Sequence, residues 1–252
     1  MLGPAVRVYR ETRKRRDQVF NIYVMRPIAA AVVSLLAGTR VTPNQLTLFS
    51  LAVFVAAASM LISLPTRGGE LAAVGALYVS YCFDCADGML ARHNKVASKV
   101  GHLFDFLTDE LKALLLVAAL AVRIWRVGGI GLDARMWDRG DPRFLLAGIA
   151  GIAILASAIS LTSFVRRPEI SGRDTTVEAF YETAADASTA SPLAHAGSYA
   201  MTFLRWLNHY PSHLWLWVLL GRLDVYFWIY VSLNAAYLAQ GWLRLVLRFG
   251  RS

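Results

Sequence analysis

The chain has 252 residues, of which 56% are hydrophobic and only 17% are charged. Soluble globular domains carry about 25% charged residues, so this composition excludes an ordinary soluble domain. The net charge of +9 indicates an anionic partner, and the long apolar runs favour a membrane surface over a nucleic acid. We therefore expect an all-α integral membrane protein.

Residues 1–42 form a basic segment before the first long apolar run. Between residues 5 and 24, basic side chains are interspersed with Val, Tyr, Phe and Ile, a pattern typical of an amphipathic helix on a membrane surface. We expect this helix to aid membrane association and to take no part in catalysis. Its positive charge also places the N-terminus in the cytoplasm.

Residues 43–247 are predicted to form a transmembrane catalytic domain with six spanning helices. Thr42 is the expected N-cap of the first span, with Pro43 at its first position. Pro211 interrupts the fifth span, so five spans are the alternative. Six spans place both termini in the cytoplasm. The predicted spans cover residues 44–64, 71–92, 102–125, 144–165, a kinked stretch ending at 214–220, and 225–243.

Two other segments have a simpler interpretation. Residues 166–192 are polar and are predicted to form a loop, in which Thr175 and Glu178 have the spacing of a capping box. Cys82 and Cys85 form a C-x-x-C pattern within an apolar run. Because no further ligands or thioredoxin-like context accompany them, we expect small helix-filling side chains.

Four aspartates lie at the ends of the second and third predicted spans. Asp84 and Asp87 are three residues apart, and Asp105 and Asp109 are four apart, so each pair shares a helix face. A short turn joins the helices, which lets the two faces meet near one membrane surface. Clustered carboxylates need compensating positive charge, and oxygen ligands favour hard cations such as Mg²⁺, Mn²⁺ or Ca²⁺. A substrate diphosphate would complete such a coordination shell.

The aspartates belong to a longer pattern, Asp84-x2-Asp87-Gly88-x2-Ala91-Arg92-x8-Gly101-x3-Asp105-x3-Asp109. This pattern resembles the signature of the CDP-alcohol phosphotransferases, with every specified position present, and the six-helix plan resembles that family too. The resemblance implies transfer of a substituted phosphate from a CDP-linked alcohol to an acceptor hydroxyl, with release of CMP. At least one of the two substrates is expected to be a lipid, and family members are usually homodimers.

The resemblance also implies roles for particular residues. The four aspartates would hold two divalent ions, Mg²⁺ or Mn²⁺, and Asp109 would also act as general base on the acceptor hydroxyl. The expected substrate-binding positions are Gly88, Ala91, Arg92 and Gly101, with Asn44 and Thr47 near the start of the first span as weaker candidates.

Some of these positions have a second interpretation. Arg92 suits a diphosphate but could equally extend to the membrane surface. Helix capping and packing would also explain Asn44 and Thr47. The active site is expected to face the cytoplasm.

Two other functions could use membrane carboxylates. An intramembrane prenyltransferase also holds a diphosphate through Mg²⁺, but it usually has more spans and two separated acidic motifs. A cation transporter would use the carboxylates as an ion path, but such proteins commonly contain inverted repeats, and no repeat is visible. The motif leaves open whether CDP is attached to diacylglycerol or to a small head group.

Overall fold

The computed structural model describes residues 3–14, 17–171 and 202–249. It divides into two compact units, one comprising Met1–Ala119 and Pro211–Gly221 and the other comprising Leu120–Tyr210 and Arg222–Ser252. Most of the predicted polar loop, including Thr175 and Glu178, lies outside the described residues.

The described part of the chain is predominantly helical. The first unit contains α1 (Pro4–Thr12), a π-helical turn (Asn21–Met25), α2 (Arg26–Leu36), α3 (Pro43–Ser63), α4 (Arg67–His93), most of α5 (Lys99–Val127) and, after a 3-10 turn at Tyr210–Ser212, the helix α8 (Leu214–Leu220). The second unit contains β1 (Gly129–Ile130), β2 (Met136–Trp137), α6 (Pro142–Val165), α7 (Pro168–Ser171), a helical stretch over residues 202–208 and α9 (Leu223–Phe249).

The long helices coincide with the predicted spans. Among the described residues, α3 and α6 are long and apolar enough to cross a membrane by length and composition. The predicted fifth span is broken, with a helix over 202–208, a 3-10 turn containing Pro211 and then α8. These apolar helices indicate a membrane protein, and the count of six spans stays a prediction.

The first span begins where the sequence predicts. The Thr42 hydroxyl accepts a hydrogen bond from the Gln45 backbone N–H at 3.3 Å, and the Gln45 side chain accepts one from the Thr42 N–H at 2.9 Å. This reciprocal capping box satisfies two backbone donors at the helix start, and Pro43 needs none. The predicted N-cap is therefore confirmed.

Two buried serines join α3 to α4. The Ser50 hydroxyl donates to the Ser80 carbonyl at 2.9 Å, and the Ser80 hydroxyl donates to the Ser50 carbonyl at 2.7 Å. Small side chains let the two backbones approach, and hydrogen bonds between helices add to packing where apolar association is weak. The pair fixes the register of the two helices.

The prediction of one continuous surface helix over residues 5–24 is wrong. α1 ends at Thr12, and helical structure resumes at residue 19. The Asp17 carboxylate accepts hydrogen bonds from the Gln18 N–H at 2.8 Å and the Asn21 side chain at 2.9 Å, and it also contacts the Arg26 guanidinium. These bonds favour a helix start after Asp17 over continuation through it.

α1 also packs on protein. Its Val8 is only 4% exposed and belongs to one apolar cluster with residues of α2 and α4, namely Ala29, Ala30, Val33, Ala86, Met89 and Leu90. The α1 face that contains Val8 is therefore covered by protein.

The second unit departs from the all-α expectation by one short antiparallel strand pair, β1 with β2. The first two turns of α9 hold β1, because the Asp224 carboxylate accepts from the Ile130 N–H at 2.8 Å and the Trp228 indole donates to the Ile130 carbonyl at 2.8 Å. In the same unit, α6 approaches the end of α5 closely. A Cβ placed at Gly148 would lie 2.4 Å from the Ala121 Cβ.

Replacing Gly148 by alanine is expected to destabilise the second unit by about 1–3 kcal/mol, because the added methyl overlaps Ala121. Thermal unfolding in detergent measures the loss. Gly75→Ala is the matched control, since no atom lies within 4 Å of a Cβ there. The double variant Gly148→Ala with Ala121→Gly should recover most of the loss. Equal melting of Gly148→Ala and Gly75→Ala would contradict the close contact.

Candidate active site

Three of the four motif aspartates converge where α4 and α5 meet. Asp84 on α4 and Asp105 and Asp109 on α5 each offer a carboxylate oxygen, and these three oxygens lie within 4.8 Å of one another. The antiparallel faces predicted from the spacing do meet in the structure. The convergence requires both helices, because no single helix contributes more than two of the three oxygens.

The carboxylates differ in exposure. The Asp84 side chain is 13% exposed, whereas that of Asp109 is 53% exposed. Asp105 is half-buried. Asp109 therefore presents the most accessible carboxylate of the three.

Asp87 has a different environment. It is buried and is not one of the three converging carboxylates. The hydroxyl of Thr47 on α3, itself buried, donates to the Asp87 carboxylate at 2.5 Å. Thr47 therefore contacts an aspartate of the motif directly, and its binding of substrate stays a prediction.

A buried lysine supplies positive charge inside the cluster. Lys112 follows Asp109 by three residues on α5, and its ammonium donates to the Asp84 carboxylate. The Asp109 carboxylate is 3.4 Å from the same nitrogen. Only 5% of the Lys112 side chain is exposed. The ammonium therefore links the two helices and offsets part of the negative charge.

The two motif glycines provide space for neighbouring polar groups. The Arg92 guanidinium lies over Gly88, with Nη1 3.5 Å from the position of a Cβ there. A Cβ on Gly101 would lie 3.6 Å from the Asn44 side-chain oxygen. Asn44 is therefore placed beside Gly101. Ala91 is half-buried, and its carbonyl accepts from the Val96 N–H at 2.9 Å, which helps to close the turn after α4.

The donor set fits a hard divalent cation. All three converging groups are carboxylate oxygens, and neither Cys82 nor Cys85 belongs to the cluster. Oxygen ligands select Mg²⁺, Mn²⁺ or Ca²⁺ over softer metals, and carboxylates from two helices can hold such an ion beside a substrate phosphate. The residues that would hold it include Asp84, Asp105 and Asp109.

The contacts of the N-terminal segment with α4 were not predicted from the sequence. Arg92 donates through Nε to the Thr12 carbonyl at 3.2 Å, and His93 Nδ1 lies 3.0 Å from the Glu11 carboxylate. The residues of each pair are about 80 positions apart, so no local spacing could indicate them. The amphipathic pattern of α1 shows an apolar face but does not say what covers that face.

The helices and the oxygen-only acidic cluster define a membrane-associated protein with a candidate divalent-metal centre. Residues 40–228 match the sequence profile of the family described as CDP-alcohol phosphatidyltransferase, and the chain belongs to this family. The family comprises transferases of phosphate-bearing groups in phospholipid biosynthesis, which generally use a divalent metal. Its substrates are a CDP-linked alcohol and a hydroxyl acceptor. No curated protein sequence matches this chain.

Replacing Lys112 by methionine is expected to lower stability by about 3–5 kcal/mol in excess chelator, because the Asp84 carboxylate would lose its buried ammonium partner. Mg²⁺ should restore part of the loss by supplying positive charge to the same carboxylates. Thermal unfolding with and without Mg²⁺ measures both effects. Lys95→Met, at an exposed lysine, is the control. Identical melting of Lys112→Met and wild-type protein in chelator would refute this role of the ammonium.

Proposed function

We propose that this chain transfers a substituted phosphate from a CDP-linked alcohol to an acceptor hydroxyl and releases CMP. The observation that carries the proposal is the convergence of Asp84, Asp105 and Asp109 oxygens within a motif of the CDP-alcohol phosphatidyltransferase family. The family match favours this activity over a prenyltransferase or a cation transporter, both of which a carboxylate cluster alone would allow.

The reaction joins the acceptor oxygen to the phosphorus that bears the alcohol. The bond between that phosphorus and the bridging oxygen of the diphosphate breaks, and CMP leaves with that oxygen. The hydroxyl proton passes to the Asp109 carboxylate. The 53% exposure of the Asp109 side chain supports this role, because the proton acceptor has to be reached by a second substrate.

Divalent metal, when bound, neutralises the charge of the diphosphate. We assign Asp84, Asp87, Asp105 and Asp109 to holding two ions, Mg²⁺ or Mn²⁺. For Thr47 we propose that its hydrogen bond orients the Asp87 carboxylate, rather than that it contacts substrate.

The other motif positions are assigned to the substrate. Arg92 suits the diphosphate, because a guanidinium forms paired hydrogen bonds with phosphate oxygens. The Arg92 guanidinium lies beside Gly88, with Nη1 3.5 Å from the position of a Cβ there. Asn44, Gly101 and Ala91 line the neighbouring turn and are proposed to contact the nucleotide.

The proposed setting is a multi-pass membrane protein with six spans. The site faces the cytoplasm, where CDP-linked substrates are soluble or lie at the membrane surface. At least one substrate is a lipid, and the protein acts as a homodimer. The apolar helices α3 and α6 support insertion in the membrane.

Turnover is expected to require Mg²⁺ or Mn²⁺, because the clustered ligands are all carboxylate oxygens. Purified protein in excess EDTA should release no CMP from candidate CDP-alcohol and acceptor pairs, and added Mg²⁺ should restore release. The restoration controls for irreversible damage by the chelator. Full turnover after metal stripping would contradict the requirement.

Asp109→Asn is expected to lower turnover ~10²–10⁴-fold, because the amide keeps the shape and cannot accept the proton. Binding of CDP-alcohol with Mg²⁺, measured by calorimetry, should survive this change better than it survives Asp84→Asn. Asp138→Asn, at an exposed aspartate of the second unit, is the control for both measurements. Should Asp109→Asn abolish nucleotide binding as fully as Asp84→Asn in folded protein, a shared ligand role would replace the base assignment.

A further inference from the structure

Arg92 lies on the same face of α4 as Asp84. Asp84, Gly88 and Arg92 follow one another at intervals of four residues, which places them along one side of a helix. The guanidinium lies beside Gly88, with Nη1 3.5 Å and Nη2 3.7 Å from the position of a Cβ there. The shared face puts Arg92 on the side of α4 that also presents Asp84, where the proposed function places the diphosphate.

The other side of the guanidinium is held by α1. Arg92 Nε donates to the carbonyl of Thr12, the last residue of α1, at 3.2 Å. The last carbonyls of a helix have no partner within the helix and carry partial negative charge, so they favour a cation. This contact therefore ties the Nε edge of the guanidinium to α1, while Nη1 and Nη2 lie near Gly88.

Buried side chains and hydrogen bonds hold α1 in place beside Arg92. Val8 and Thr12 are almost fully buried. The Tyr9 hydroxyl donates to the Ile22 carbonyl at 3.0 Å, and Glu11 lies 3.0 Å from the ring nitrogen of His93, the residue after Arg92. The last turn of α1 therefore contacts two consecutive residues at the end of α4.

We propose that α1 is a positioning element for Arg92 and so sets the affinity of the site for the diphosphate of the CDP-linked substrate. The proposal rests on the proposed function and extends it to residues 4–12, which lie before the matched family region. α1 takes no part in bond making. An arginine that binds the diphosphate equally before and during the reaction changes KM and leaves kcat nearly constant.

The decisive variants differ only in which side of α1 they change. Val8→Glu places a charge in the buried cluster and should undock α1, whereas Val6→Glu changes a valine that is 44% exposed on the same helix. Deletion of residues 1–13 removes α1 without burying a charge, which keeps the test valid if Val8→Glu fails to fold. Thermal unfolding identifies the folded variants.

Affinity for CDP in the presence of Mg²⁺ is measured by calorimetry, together with kcat and KM for the CDP-alcohol. We expect Val8→Glu and the deletion to weaken CDP binding and raise KM about tenfold, the effect of losing one charge-assisted hydrogen bond, with kcat within about twofold of wild type. Val6→Glu should behave as wild type. In an Arg92→Ala background, the deletion should cause no further loss of affinity.

Three results would overturn the proposal. The first is unchanged CDP affinity in folded Val8→Glu and deletion variants, and the second is an equal loss on deletion with or without Arg92. The third is wild-type protein that binds no CDP, which would overturn the proposed function as well. Wild-type protein that binds CDP but releases no CMP would count against the proposed function alone, because the change in CDP affinity still decides the role of α1.

Discussion

Three carboxylates within 4.8 Å of one another are the constraint on which this structure depends. Two unit charges 4 Å apart interact by about 1 kcal/mol in water and about 4 kcal/mol near a protein surface, so the cluster needs nearby positive charge. The chain supplies part of it through the buried Lys112 ammonium. A divalent cation would neutralise the negative charge that remains on the carboxylates.

α3 supports this arrangement although it contributes none of the converging carboxylates. Its capping box at Thr42 fixes where the helix begins, and this places Asn44 beside Gly101 and the Thr47 hydroxyl against Asp87. Asp87 thereby accepts a hydrogen bond from a helix that contributes none of the converging carboxylates. The start of α3 is thus linked physically to the motif.

The long helices and the acidic cluster could be predicted from the sequence because their signals are local. Apolar runs, the Thr42 capping box and the spacing of Asp84, Asp105 and Asp109 each follow from helix geometry within a few turns. The docking of α1 could not be predicted, because Thr12 meets Arg92 from 80 positions away. Basic residues with an apolar stripe look the same whether that stripe faces lipid or, as at Val8, another helix.

The reciprocal Ser50–Ser80 hydrogen bonds limit how α3 can move along α4. Sliding α3 along α4 by even one residue would break both bonds in a buried setting where water cannot replace them. These bonds therefore fix the register of α3 and α4. The contact of α5 with α4 includes a different kind of bond, the Lys112–Asp84 ion pair, in which another cation can replace the ammonium without breaking a backbone hydrogen bond.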